Sequence, residues 1–316
     1  MSGIKRVFGG AAFWADGEGL AEPSKLKQTL DILEKYKVDT IDVARIYNDA
    51  ELVVGNSDAR ERFTIDTKLS GGFGAGSSKA KTIEDGEKSK TLLKTNVDIL
   101  YLHAPDKDVP IEETLEGVNE IYQSGFFKRF GLSNFTAENV QKVHDIAKAK
   151  GYVLPTVYQG NYNAFARKQE ELLFPTLRKL NISFYAYSPI AGGFLVKTRE
   201  QLENGTGRWD KNSPFGQIYH SLYSKSTLLD GLDEWHAIAA EEGISPAALA
   251  YRWIGYNSPL KPENGDALIF GASKVEQLED TLQSLQQGPL SENAVKRIDE
   301  VWKKVANEAP LDNYHR

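Results

Sequence analysis

The sequence predicts an α/β fold, a (β/α)8 TIM barrel with long loops on its catalytic face. Strand-like and helix-like runs alternate along the chain, which favours a parallel sheet with helical crossovers. Eight strand-like runs fall within 316 residues, a repeat number that suits a closed barrel better than an open sheet. Ionisable side chains also stand at or just after the ends of successive runs, where α/β folds place their chemistry. An open doubly wound sheet is the structural rival. No strong sequence repeat or linker-like tract divides the chain, so residues 1–316 read as one barrel domain.

The first strand-like run lies near 5–10. Leu26, Leu30, Leu33 and Tyr36 then line one face of a helix beginning at Ser24. Runs near 39–43, 63–69 and 97–103 follow. Pro110 takes the first position of a helix holding Leu115, Val118 and Ile121. A run near 127–133 precedes a helix capped by Thr136 and carrying Val140, Val143 and Ala147. Runs near 155–160 and 182–187 come next. Residues 190–228 break the rhythm: Gly192-Gly193, Gly205, Gly207 and Asn212-Ser213-Pro214 mark a long loop. In a barrel it follows strand seven on the catalytic face, and long loops of this kind serve as lids or binding loops. Ser245-Pro246 reads as an N-cap and first turn ahead of Ala248, Leu249 and Trp253. The last run is near 267–271. The tail from Pro310 to Arg316 is either disordered or folded back over the site.

Composition removes several functions. The chain is 41% hydrophobic and 26% charged, ordinary values for a soluble globular protein. Its net charge of −6 argues against nucleic acid and anionic membranes as partners, since both need a basic face. There are no cysteines, which excludes disulfides, thiolate chemistry and cysteine metal sites. The amino-terminal residues lack the apolar stretch of a signal peptide, and no run of 18 or more apolar residues suggests a membrane span. A cytoplasmic location is the expectation.

The chemistry concentrates in four residues. Asp42 ends one strand-like run, with Tyr47 five residues on; Lys68 and His103 end the next two. A free tyrosine, with a pKa of about 10, is a poor proton donor to a carbonyl at neutral pH. A buried ammonium favours the phenolate and lowers that value. Lys68 can supply the charge, Asp42 can hold the lysine, and His103 can hydrogen-bond the phenol or a substrate oxygen. Such a phenol suits carbonyl reduction, because oxygen needs a proton as hydride reaches carbon. Singly, each residue has a plain reading as a loop tyrosine, a strand-end lysine, a helix-capping aspartate or a structural histidine. The set is more specific than its members.

With Ile41-Asp42-Val43-Ala44 and Tyr47, Asp66-Thr67-Lys68, and Asp98-Ile99-Leu100-Tyr101-Leu102-His103-Ala104-Pro105-Asp106, the chain resembles the aldo-keto reductase superfamily. Gly131-Leu132-Ser133-Asn134-Phe135 and Tyr185-Ala186-Tyr187-Ser188-Pro189 continue the match. Leu154 to Gly160 with Tyr162-Asn163-Ala164, Ile190 to Leu195, and Gly271-Ala272-Ser273 with Glu276 to Glu279 look most like the aflatoxin aldehyde reductase branch, also associated with succinic semialdehyde reduction. The resemblance spans nearly the whole chain. It implies a (β/α)8 barrel that reduces aldehydes and ketones with NADPH and no metal. Tyr47 would be the general acid, tuned by Lys68 and Asp42, with His103 orienting the carbonyl. Ser133, Asn134 and Gln159 would bond the nicotinamide carboxamide and Tyr187 would stack on its ring, with Ser188 beside them. The resemblance is also compatible with a homodimer.

The phosphate end of the cofactor has a physical argument of its own. Ser273-Lys274-Val275-Glu276 fits a capping box that opens a helix straight after the last strand. Backbone N–H groups and the helix dipole there favour an anion, and Lys274 suits an adenosine 2′-phosphate. Gly271, Gln277 and Thr281 complete the expected set. The superfamily often has arginine where Gln277 stands and asparagine where Thr281 stands, departures that bear on the strength of NADP preference. Trp14, Trp209, Arg208 and Arg316 are candidates for the substrate pocket, but both tryptophans read equally well as loop anchors, and Arg208 could equally meet a cofactor phosphate. Ser70 to Ser78 is glycine-rich but lacks both the P-loop ending and the dinucleotide fingerprint; it reads as a flexible loop after Lys68 that could still border the site. The rival function is a dinucleotide-binding regulatory or redox-sensing interaction protein on the same fold. A barrel hydrolase or isomerase finds no nucleophile–base motif.

Overall fold

The computed structural model describes residues 3–14, 19–74, 76–205 and 207–315. Eight parallel strands close on themselves in chain order: β1 Lys5–Gly9, β2 Thr40–Asp42, β3 Thr64–Leu69, β4 Val97–Leu102, β5 Phe127–Ser133, β6 Pro155–Asn161, β7 Ser183–Tyr187 and β8 Ala267–Phe270. β8 returns to β1, pairing Ala267 with Lys5 and Phe270 with Phe8. The fold is the expected (β/α)8 barrel, and each strand lies within about a residue of its sequence-based position.

The strands read as apolar runs because both of their faces are covered. Outward side chains such as Phe8, Ile41, Ile65, Leu100, Phe130, Tyr158, Phe184 and Phe270 join the helices in the main core. Val7, Ile99, Tyr101, Val157, Tyr185, Ala267 and Ile269 form a second cluster on the alternate positions, which face the barrel interior. Register brings Asp42 opposite Asp66 and Lys68 opposite Tyr101. Tyr101 fits because its neighbour is Gly131: a Cβ there would lie 2.3 Å from the tyrosine ring.

The helices follow their sequence signals, with local differences. Thr136 and Ser245 cap helices Ala137–Lys150 and Pro246–Arg252 through their hydroxyls. The first long helix is Pro23–Lys35, capped by the Glu22 carboxylate rather than starting at Ser24. Pro110 occupies the cap position of helix Ile111–Gln123, one residue ahead of its expected place.

The long loop expected over 190–228 is corrected. Most of it is short helix: a 3₁₀ segment at Ala191–Val196, a helix at Arg199–Glu203, a turn at Gly207–Trp209 and helices Pro214–Tyr223 and Ser226–Glu241. The reason is local capping. Thr198 and Gln201 form a capping box, and Ser213 caps a helix with Pro214 in its first turn. The tail folds back as far as residue 315. Among the described residues, no helix is long and apolar enough to cross a membrane.

Candidate active site

The carboxyl ends of β2 and β3 build the centre. Lys68 is 0% exposed and Asp42 2%, so neither charge is tolerable without a partner. Lys68 Nζ lies 2.5 Å from Asp42 Oδ2 and donates to the Val43 carbonyl at 2.8 Å. Burial opposes the lysine's charge, yet Asp42, Tyr47 and Asp66 together hold its pKa above the usual ammonium value. Burial lifts Asp42 above the usual carboxylate range, against the pull of Lys68.

Tyr47 stands on the loop after β2, partly buried, with Lys68 Nζ 5.0 Å from its ring centroid. That loop is clamped at both ends. The Arg45 N–H donates to the Lys68 carbonyl at 2.9 Å and the Tyr47 N–H to Ala44 at 3.0 Å. The Arg45 guanidinium pairs with Glu51, itself 1% exposed, and Thr67 Oγ1 donates to Glu51 at 2.7 Å. Tyr47 is thereby fixed beside the cation.

The phenol differs from the sequence expectation. Its pKa is raised, not lowered: burial is the larger effect, and Lys68 only partly offsets it. The phenol therefore stays protonated at neutral pH, while the nearby ammonium is positioned to stabilise a phenolate once the proton leaves.

His103 follows β4. Its ring lies 5.8 Å from that of Tyr47 at an interplanar angle of 76°. Burial and the Lys68 charge push its pKa well below the usual imidazole value, so it is neutral. Its Nδ1 is buried without a partner among the described residues. Phe73, from the glycine-rich loop, packs edge-on against His103 at 4.8 Å. Tyr314 of the tail packs edge-on against Phe73 at 5.5 Å and donates to the carbonyls of Gly72 and Pro105. The glycine-rich loop thus borders the site, and the tail covers it.

A second polar group lies across the barrel mouth. Ser133, Asn134 and Gln159 are buried, and Tyr187 is partly so. Asn134 Nδ2 donates to the His103 carbonyl at 2.8 Å, the Tyr187 hydroxyl donates to Asn134 Oδ1 at 3.0 Å, and Gln159 Nε2 donates to Asp42 Oδ1 at 3.1 Å. Asn134 and Ser188 have positive φ, 62° and 57°, backbone of a kind that clusters at functional sites. The Ser188 carbonyl accepts from Asn163.

Gly271, Ser273, Lys274 and Gln277 lie together beyond β8, exposed or nearly so. The expected capping box is corrected. Lys274, not Ser273, occupies the cap of helix Val275–Gln286 and makes no side-chain bond there. Ser273 instead bonds the Gln277 side chain through both its N–H and its hydroxyl, because the helix starts one residue later. Thr281 is turned inward, 8% exposed, against Tyr251.

Of the two readings of Trp209, pocket wall and loop anchor, the structure favours the anchor. It is 0% exposed and anchors its loop, with its indole N–H on the Gly192 carbonyl at 3.0 Å. Arg208 is exposed, 5.8 Å from the Tyr219 ring centroid, and its charge is among the influences lowering Tyr47. Trp14 is partly buried against the main core. Arg316 lies outside the described residues.

Sequence reasoning passed over Asp66, Glu51, Phe73 and Tyr314 as parts of the site. Asp66 was findable: two residues before Lys68 on one strand, it shares the lysine's inward face. It is 0% exposed, and burial together with Asp42 holds its pKa far above the usual carboxylate range.

Fold and site define a barrel enzyme whose polar side chains gather at the carboxyl ends of its strands. The Aldo/keto reductase family model matches residues 6–303. The chain belongs to the aldo/keto reductase family, as its motifs suggested. An oxidoreductase named sirO from Leptosphaeria maculans is 39% identical over 313 residues, covering 96% of this chain and 95% of that protein. Human aldo-keto reductase family 7 member A3 is 35% identical over 318 residues, covering 95% and 94%. Human aflatoxin B1 aldehyde reductase member 4 is 35% identical over 312 residues, 93% of each.

Proposed function

We propose that this protein reduces an aldehyde or ketone to the alcohol, with NADPH as cofactor and Tyr47 as general acid. One observation carries the reading: a protonated tyrosine held beside the buried Lys68–Asp42 pair at the barrel mouth, in a chain of the aldo/keto reductase family. The relatives' names, an oxidoreductase and an aflatoxin aldehyde reductase, support the same reaction class.

Tyr47 gives its proton to the carbonyl oxygen, and the Lys68 ammonium stabilises the phenolate left behind. Neutral His103 orients that oxygen by hydrogen bonding. When bound, the reduced nicotinamide supplies the hydride. Ser133, Asn134 and Gln159 hold its carboxamide, and Tyr187 and Ser188 support the ring. These side chains suit a carboxamide, because Asn134 and Gln159 each keep amide hydrogen-bonding capacity beyond the bonds described above. Gly271, Ser273, Lys274, Gln277 and Thr281 form the phosphate end. No cap side chain accepts from the first turn of helix Val275–Gln286, which suits an anion, and Lys274 adds charge. Arg208 contributes at the mouth. A cytoplasmic setting and a homodimer belong to the same proposal.

The test is a spectrophotometric screen of aldehydes, ketones and alcohols with NADPH and NADH. A reactive aldehyde such as 4-nitrobenzaldehyde should be reduced, faster with NADPH. Lys274→Ala should raise the KM for NADPH several-fold and leave that for NADH nearly unchanged. Tight NADPH binding with no turnover across the panel would instead favour a regulatory protein.

A further inference from the structure

Asn134 follows β5 in the left-handed backbone region, which asparagine tolerates better than most residues. Its buried amide bridges two other strand ends. On one side lies the carbonyl of His103, after β4; on the other lies the hydroxyl of Tyr187, at the end of β7. The network fixes the orientation of the amide. The His103 carbonyl can only accept, so the amide nitrogen must face it. A flipped amide would set two acceptors against each other. Oδ1 must therefore face Tyr187, and the tyrosine must give its single hydroxyl proton to Asn134.

We infer that Tyr187 is a positioning residue for His103, acting through the Asn134 amide. The inference rests on the reductase reading, but it concerns the hydroxyl of Tyr187 rather than the stacking of its ring. Without that hydroxyl, Asn134 Oδ1 loses its partner, and the amide is held from the His103 side alone. The donor to the His103 carbonyl is then less firmly placed, and the imidazole is less firmly set at its distance from Tyr47. Small displacements of an orienting group are expensive in rate. The stacking surface is untouched.

Tyr187→Phe tests this in the full chain. In the reductase assay kcat at saturating NADPH should fall about tenfold. Asn134→Asp, which cannot donate to the His103 carbonyl, should lower kcat as well. Combining the two should add little, since both cut one strut. In the cofactor-free protein, the His103 imidazole resonance should move in Tyr187→Phe. Wild-type kcat in Tyr187→Phe, additive losses in the double variant, or an unmoved imidazole resonance would overturn the inference. A wild-type protein that reduces no carbonyl would overturn the reductase reading instead, and the imidazole resonance would then decide the strut.

Discussion

Gln159 donates its amide N–H to Asp42 across 3.1 Å, inside the barrel, while the other oxygen of Asp42 faces Lys68. The residue expected to hold the nicotinamide carboxamide therefore also holds the carboxylate beneath Tyr47. With one Nε2 hydrogen on Asp42, the second Nε2 hydrogen and Oε1 are left for a carboxamide. In the proposed function, cofactor binding and proton donation would share one side chain.

Gln159→Glu should harm both. It replaces a donor with a second carboxylate beside Asp42, and one of the two must be protonated or move away. Urea denaturation should show a loss of about 1–3 kcal/mol, and the KM for NADPH should rise. Gln159→Leu should raise KM similarly with a smaller loss of stability.

Lys68→Met strands Asp42 as a buried, unpaired charge. Because both partners are almost wholly buried, the expected cost is about 3–5 kcal/mol, read from the urea midpoint, with activity abolished. Adding Asp42→Leu should recover much of the stability and none of the activity. That outcome would separate the fold's need for a balanced pair from the chemistry's need for a cation.

The strand ends were legible because chemistry and pattern coincide there. Asp42, Lys68 and His103 close apolar runs, and a charge at the end of a buried strand is conspicuous. Their mutual geometry was legible only through the family resemblance. Phe73 and Tyr314 were hidden, because Phe73 meets His103 and Tyr314 meets Phe73 through three-dimensional folding that no local period encodes. Residues 190–228 were misread since glycines and Asn-Ser-Pro look like loop, although Ser213 and Thr198 are equally good helix caps. Trp209 stayed open between pocket wall and loop anchor because its partner, the Gly192 carbonyl, is 17 residues away. The direction of the Tyr47 shift could not be read at all: burial and Lys68 oppose each other, and only the structure shows which prevails.

That direction sets the pH profile. With Tyr47 as the proposed general acid, carbonyl reduction would need its protonated form, and its pKa is raised, so kcat/KM should hold through neutral pH and fall only in the alkaline range. Alcohol oxidation needs the phenolate and should rise where reduction falls. His103, pushed well below the usual imidazole value, is neutral at and around physiological pH and should contribute no limb near pH 6.5. A titration there in the reduction profile of the wild type would contradict this assignment.

Glu51 holds Tyr47 in place without touching it. Glu51→Ala leaves Arg45 and Thr67 without their shared acceptor. The variant should lose about 3 kcal/mol of stability and several-fold in kcat, with the NADPH Kd unchanged. Glu51→Gln, which keeps the bond to Thr67, should be milder on both measures.

The most direct test of the account is Tyr47→Phe, measured for carbonyl reduction and NADPH binding side by side. The substitution removes one oxygen and leaves the ring beside Lys68. A loss in kcat of about 10²–10⁴ with an unchanged NADPH Kd is the expected result. Full activity in Tyr47→Phe would contradict the claim that this phenol delivers the proton.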